Sequence, residues 1–205
     1  MKLKNLIVTI GLLTTASSFG AAGMFNQYVF TTTNGTTPLA FYDIGAVTGN
    51  PDFQGQNLGT FTVGATLYLG GQQRSWKNDG TDVTSHGISW RVYPGESPSG
   101  SFATVAMPFQ FNTGVNSDQQ WGGDSQGSNS DPIEISGNVL SGLTNGTYTL
   151  DVYSFITTNG VNANATIFNN VAGNNYKATF TVVPEPAAAA LGLLGTALLL
   201  RRRRI

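Results

Sequence analysis

The chain of 205 residues has one histidine, His86, and no cysteine, so its capacity for acid–base or metal chemistry is narrow. Zinc and redox centres draw on imidazole and thiolate ligands that are scarce or missing here. His86 stands between Ser85 and Gly87 at the expected start of a strand, which reads as a surface turn position. The carboxylates are scattered singly through turns, whereas glycoside hydrolysis needs two at a fixed separation. The expectation is a protein without enzymatic activity.

Two polar groupings remain. Asp118, Asp124, Asp131 and Glu134 punctuate the long polar stretch that begins at Asn112. Hard carboxylate oxygens suit calcium, the one cofactor this composition could hold, although no EF-hand spacing occurs and the Asp79–Asp82 turn needs no metal. The same stretch carries Gln119-Gln120-Trp121-Gly122-Gly123. An indole among amides on a loop can stack on a sugar ring while the amides bind its hydroxyls. Trp76, beside Arg74, Lys77 and Asn78, is a second candidate for the same task. The competing expectation is that each tryptophan lids the end of a core.

The elements that must position these residues are strands. Charged residues are few, Gly, Asn, Thr and Ser abound, and apolar residues fall in short alternating runs, which indicates β structure with many turns. Strands are expected at Phe25 to Thr32, at Leu58 to Leu69 as two strands or one bent at Gly64, and at Gly87 to Tyr93. Others are expected at Phe102 to Phe111 with a break or edge at Pro108, at Ile133 to Leu140, at Thr147 to Tyr153 and at Tyr176 to Val182. Ile88, Trp90 and Val92 share one face of their strand, with Trp90 in the core, and Ser89, Arg91 and Tyr93 share the other. The segment from Gly142 to Tyr153 resembles the approach to the sixth strand of immunoglobulin-like and fibronectin type III domains. That resemblance implies a tyrosine corner at Tyr148, a core position at Leu150 and an inter-sheet tryptophan at Trp90. The expected fold is therefore all-β, an antiparallel Ig-like sandwich of about seven strands, with a jelly roll as the alternative.

Both ends of the chain read as addresses. Lys2 and Lys4 precede an uncharged stretch from Leu6 to Phe19, and the small residues Gly20 and Ala22 have the spacing of a signal-peptide cut, after Ala22 or two residues earlier after Gly20. At the other end, Ala187 to Leu200 is free of charge, and its six leucines favour hydrocarbon by roughly 2 to 4 kcal/mol. At 1.5 Å per residue that run is about 20 Å long, short of the roughly 30 Å of a bilayer core, so it suits temporary retention better than permanent anchoring. Arg201, Arg202, Arg203 and Arg204 hold its end on the cytoplasmic side and leave the body outside. Pro184 and Pro186 keep the preceding neck extended.

Pro184-Glu185-Pro186, a short apolar helix and a terminal arginine cluster, in that order, resemble the PEP-CTERM sorting signal of Gram-negative bacteria. The resemblance implies that the three neck residues are recognised by the membrane enzyme exosortase and that the tail is removed during transfer to the surface. The expected organisation is a signal peptide at 1–22, a β-sandwich at 23–183 and the sorting signal at 184–205, in a protein of the cell envelope, cell surface or extracellular matrix. Six of the ten basic residues lie in the two ends, leaving Arg74, Lys77, Arg91 and Lys177 in the body against ten of the eleven acids. Such an acidic surface excludes nucleic acid as a partner. A passive structural or adhesive role is expected, with a lectin-like module for exopolysaccharide, aided by calcium, as the alternative.

Overall fold

The computed structural model describes residues 21–36, 38–45, 49–113, 118–123 and 134–185. The signal stretch before Ala21, Pro186, the apolar run 187–200 and Arg201 to Arg204 lie outside these residues. Among the described residues no helix is long and apolar enough to cross a membrane.

Among the described residues eleven strands form two sheets: β1 (Ala22–Thr32), β2 (Ala40–Asp43), β3 (Asn57–Thr62), β4 (Tyr68–Lys77), β5 (Val83–Pro94), β6 (Ala103–Met107), β7 (Phe109–Thr113), β8 (Asp118–Gly122), β9 (Gly146–Thr158), β10 (Thr166–Asn169) and β11 (Tyr176–Val183). One sheet runs β2-β1-β4-β8-β7, the other β3-β11-β9-β5-β6, with β10 on β9. All pairings are antiparallel except β3 with β11. The fold is thus all-β, two sheets facing across one core.

Strand β9 organises the second sheet. From Tyr148 to Thr158 it pairs with β5, while its other edge is shared by β11, along Gly146 to Val152, and β10, along Ser154 to Thr157. Alternation sends Leu150, Val152 and Ile156 into the core, where they are fully buried. From the facing sheet come Val29 and Leu69, and Phe180 joins from β11. Gly71 of β4 lets the sheets approach: a Cβ there would lie 2.5 Å from the Tyr28 carbonyl oxygen and 2.7 Å from Ile88 Cδ1. The tyrosine corner is present, with the Tyr148 hydroxyl donating to the Thr144 carbonyl at 2.9 Å.

The two-strand form of Leu58 to Leu69 and the break at Pro108 are both found, and the strand at Ile133 to Leu140 is corrected. Leu58 to Leu69 splits into β3 and the start of β4, which belong to opposite sheets. Pro108 divides Phe102 to Phe111 in the same way, sending β6 and β7 to opposite sheets, because a residue without an amide donor interrupts the ladder. Of Ile133 to Leu140, Ile135 makes a single bridge to Gly70, and Ser136 and Val139 donate to the Leu69 and Leu67 carbonyls. Strands β2, β8 and β10 were not expected. Trp90 points inward but is half-buried at the rim, and the more deeply buried aromatic of β5 is Tyr93, on the opposite face.

Gly71→Ala should destabilise the fold by about 2 kcal/mol or more, since the clash is partly with backbone, whereas Tyr148→Phe should cost about 1 kcal/mol, one hydrogen bond. Urea unfolding of the two variants checks the order.

Candidate functional site

His86 and Trp121, expected on a turn and on a loop, are both in the core. His86 lies within β5 and is 2 % exposed, and Trp121 lies on β8 and is 7 % exposed. Their rings stack at 5.0 Å, and Phe109 closes on the indole edge at 5.2 Å. His86 Nδ1 is 2.9 Å from Gln73 Oε1. Burial pushes the imidazole down to about 3, so it stays neutral at physiological pH. Gln119 faces inward beside Trp121, while Gln120 lies on the outer side, where it accepts from Arg74 Nη2 at 3.0 Å and donates to Gln72 at 3.1 Å. His86, Gln119 and Trp121 cannot meet a sugar without opening the sandwich, and the Gln120 amide is already engaged by Arg74 and Gln72. Trp76 is half-buried on β4 above Gly23, where a Cβ would lie 2.5 Å from its Nε1.

The calcium cluster is not assembled among the described residues, which hold no grouping of three or more carboxylates and imidazoles. Asp118 is one residue before Gln119, the partner of Ser75, and Glu134 one before Ile135, the partner of Gly70. Along one edge of β4 that separates them by about five residues, roughly 17 Å at strand rise. Asp124 and Asp131 lie outside the described residues. Asp82 is occupied by an ion pair with Lys77. Residues 123–127 read Gly-Asp-Ser-Gln-Gly, a nucleophile-elbow spacing. Ser125 lies outside the described residues, and the one histidine of the sequence, His86, is buried in the core.

The residues that are brought together at the surface lie on the outer face of the β11-β9-β5-β6 sheet. On β9 the positions between the core residues are Asp151, Tyr153 and Phe155, and they face away from the sandwich. Phe102 meets Tyr153 edge-on at 4.9 Å, and Phe168 of β10 lies 5.9 Å from Tyr153 and 6.4 Å from Phe155. Gly87 makes room for this strip, because a Cβ there would lie 2.5 Å from Phe155 Cζ. Arg91 stacks over Phe102 at 4.3 Å, held by Asp151 Oδ2, 2.8 Å from Nη2 and 2.9 Å from Nε. Asp151 is fully buried, and its Oδ1 has no hydrogen bond among the described residues. Phe168 is 53 % exposed. The result is an aromatic platform with a fixed guanidinium at one end. It can stack on a flat ligand, but it offers no pair of free carboxylates for bond cleavage.

Sequence reasoning passed over this platform because its signal is a doubled pattern: β9 is apolar or aromatic at both parities, Leu150-Val152 on one and Tyr153-Phe155 on the other. A strand with one wet face would be polar at every second position. No family model and no curated protein matches the chain.

The His86 environment sets a pH dependence. The unfolded imidazole titrates near about 6.5 and the folded one at about 3, so between these values the unfolded state holds the extra proton. Stability from this group is complete above the unfolded value and falls as pH drops, by up to about 1.4 kcal/mol per pH unit. Urea unfolding at neutral pH and near pH 4.5 should show the native chain losing about 2 kcal/mol more than His86→Gln.

Proposed function

We propose that the chain is an exported protein whose tail is a PEP-CTERM sorting signal read by exosortase, and whose body is a non-catalytic β-sandwich with a structural or adhesive role at the cell surface or in the extracellular matrix. The observation that carries this reading is the fit of the folded unit to the interval between the two addresses. Strand β1 begins at Ala22 and β11 ends at Val183, directly before Pro184. Pro184 and Glu185 are exposed and belong to no strand, as a recognised neck requires.

The fold favours the earlier of the two signal cuts. The Ala21 carbonyl accepts from the Asn78 amide at 2.9 Å, Ala22 pairs with Lys77, and both alanines are buried. Cutting after Gly20 keeps these bonds, whereas cutting after Ala22 removes the first pair of β1. The sheet orders also support the immunoglobulin-like reading. Strands β1, β4, β8 and β7 follow the order A, B, E, D, and β11, β9, β5 follow G, F, C, with the tyrosine corner at the start of the sixth-strand equivalent β9.

A second reading, binding of exopolysaccharide, is favoured by the platform of Phe102, Tyr153, Phe155 and Phe168. It replaces the tryptophans and amides first assigned to that role.

Replacing Pro184, Glu185 and Pro186 together by alanine should leave the chain in the membrane fraction, where the native chain is released. Unchanged release counts against the sorting reading. The N-terminal residue of the exported protein should be Ala21. For the second reading, Tyr153→Ala and Phe168→Ala should abolish any retention on immobilised glycans without lowering the unfolding midpoint by more than a few degrees.

A further inference from the structure

A cleft of about 440 Å³ opens beside the platform, walled by Asp43, Asp52 and Gln54 on one side and by Val171, Asn174 and Tyr176 on the other, with Gly45 and Lys177 at its borders. Lys177 at its border pairs in register with Asp151, the carboxylate that holds Arg91 on the platform, so cleft and platform lie on the neighbouring strands β11 and β9.

Two observations in the cleft and one in the cavity beside it point to a ligand. First, the far wall of the cleft is held in left-handed backbone at three non-glycine positions, Val171 (φ 49°), Ala172 (φ 53°) and Asn175 (φ 56°). For a β-branched residue such as Val171 this is a genuine outlier, and such strain gathers at ligand clamps. Second, the wall is braced from behind: Tyr176 Oη donates to Asn169 Oδ1 at 2.6 Å, and Asn169 Nδ2 donates to the Ile44 carbonyl at 2.7 Å. Third, an adjoining cleft of about 250 Å³ shares Gly45 and is lined by Gln27, which is 2 % exposed. Gln27 Oε1 accepts from Ser154 and Asn169, but Gln27 Nε2 has no partner among the described residues, and an unpaired buried amide donor costs free energy until an acceptor oxygen reaches it.

We propose that this cleft is a terminal subsite for one sugar unit of a neutral glycan whose chain lies across the aromatic platform. The inference rests on the second reading above. Planar amides donate to and accept from vicinal hydroxyls, carboxylates accept from them, and Tyr176 and Val171 cover the apolar side of a ring. Two carboxylates facing one ammonium select against uronic acids and other anionic sugars, which would meet like charge. Lys177 Nζ donates to the Asn174 carbonyl, and the single ammonium is outnumbered by the carboxylates of Asp43 and Asp52 at the cleft.

The test uses the full-length chain in detergent and measures binding of neutral gluco- and xylo-oligosaccharides of four to six units, with tetragalacturonate as the anionic control. Asp52→Ala and Asn174→Ala alter exposed side chains, and the fold should tolerate both. Each should weaken binding of the neutral oligomers about tenfold, with the control bound far more weakly throughout. Binding lost in Tyr153→Ala but unchanged in both cleft variants overturns the subsite and leaves the platform standing. Binding lost in the cleft variants but unchanged in Tyr153→Ala upholds the cleft as a sugar site and overturns the platform reading. Equal or tighter binding of the anionic control overturns the charge argument and with it the proposal, and no binding of any oligomer overturns both.

Discussion

The register between β5 and β9 is the constraint from which the rest of the structure follows. These two long strands pair from Val83 with Thr158 to Pro94 with Tyr148, with one irregularity between Val83 and Ser85. Because side chains alternate with a period of two, this single register fixes two surfaces at once. One parity gives the core residues Ile88, Leu150, Val152 and Ile156, and the other gives Arg91, Asp151, Tyr153 and Phe155 on the outside. A slip by one residue would exchange core and platform. The tyrosine corner at Tyr148 guards against it, since its hydroxyl ties the entry of β9 to the turn before it.

The core so defined is uneven. Around Val29, Leu69, Leu150 and Phe180 it is apolar, while toward the far ends of β4 and β8 it holds Gln73, Ser75, His86 and Gln119, all buried. Gln73 Nε2, Ser75 Oγ, His86 Nε2, Gln119 Oε1 and Trp121 Nε1 have no hydrogen bond among the described residues. Each such group gives up water without a protein partner, so this half contributes less to stability than its burial implies. With neither disulfide nor a recognised metal cluster among the described residues, the apolar half and the sheet ladders carry the fold. Removing the polar half's one titratable group from water is what makes stability fall in acid.

That unevenness also explains what was legible in the sequence. Where inward positions are apolar, the pattern could be read: β11 is found within one residue, β5 and β9 are found but fall four and five residues short at one end, and the break at Pro108 is found. Leu150 fell in the core and Tyr148 at its corner. Where inward positions are amides and hydroxyls, the pattern misled. The end of β4 and all of β8 read as polar loop because Gln73, Ser75 and Gln119 point inward, so Trp121 was placed among solvent-facing amides when it stacks on His86. The short strands β2 and β10 left too few residues for alternation to register. The platform went unnoticed because its members come from β9, β10 and the segment before β6, and only the sheet order brings Phe102, Tyr153 and Phe168 together. The cleft draws on the loops flanking β2 and β11, whose closeness no local pattern encodes.

The described sandwich starts at Ala22 and finishes at Val183, and a signal to be read and removed is proposed on either side of it. The most direct measurement of this account is fractionation of the producing cells, with intact mass determined for the chain in each fraction. The account predicts a polypeptide located beyond the inner membrane and lacking its first twenty residues. A full-length polypeptide, soluble in the cytoplasm with both ends uncut, would contradict it.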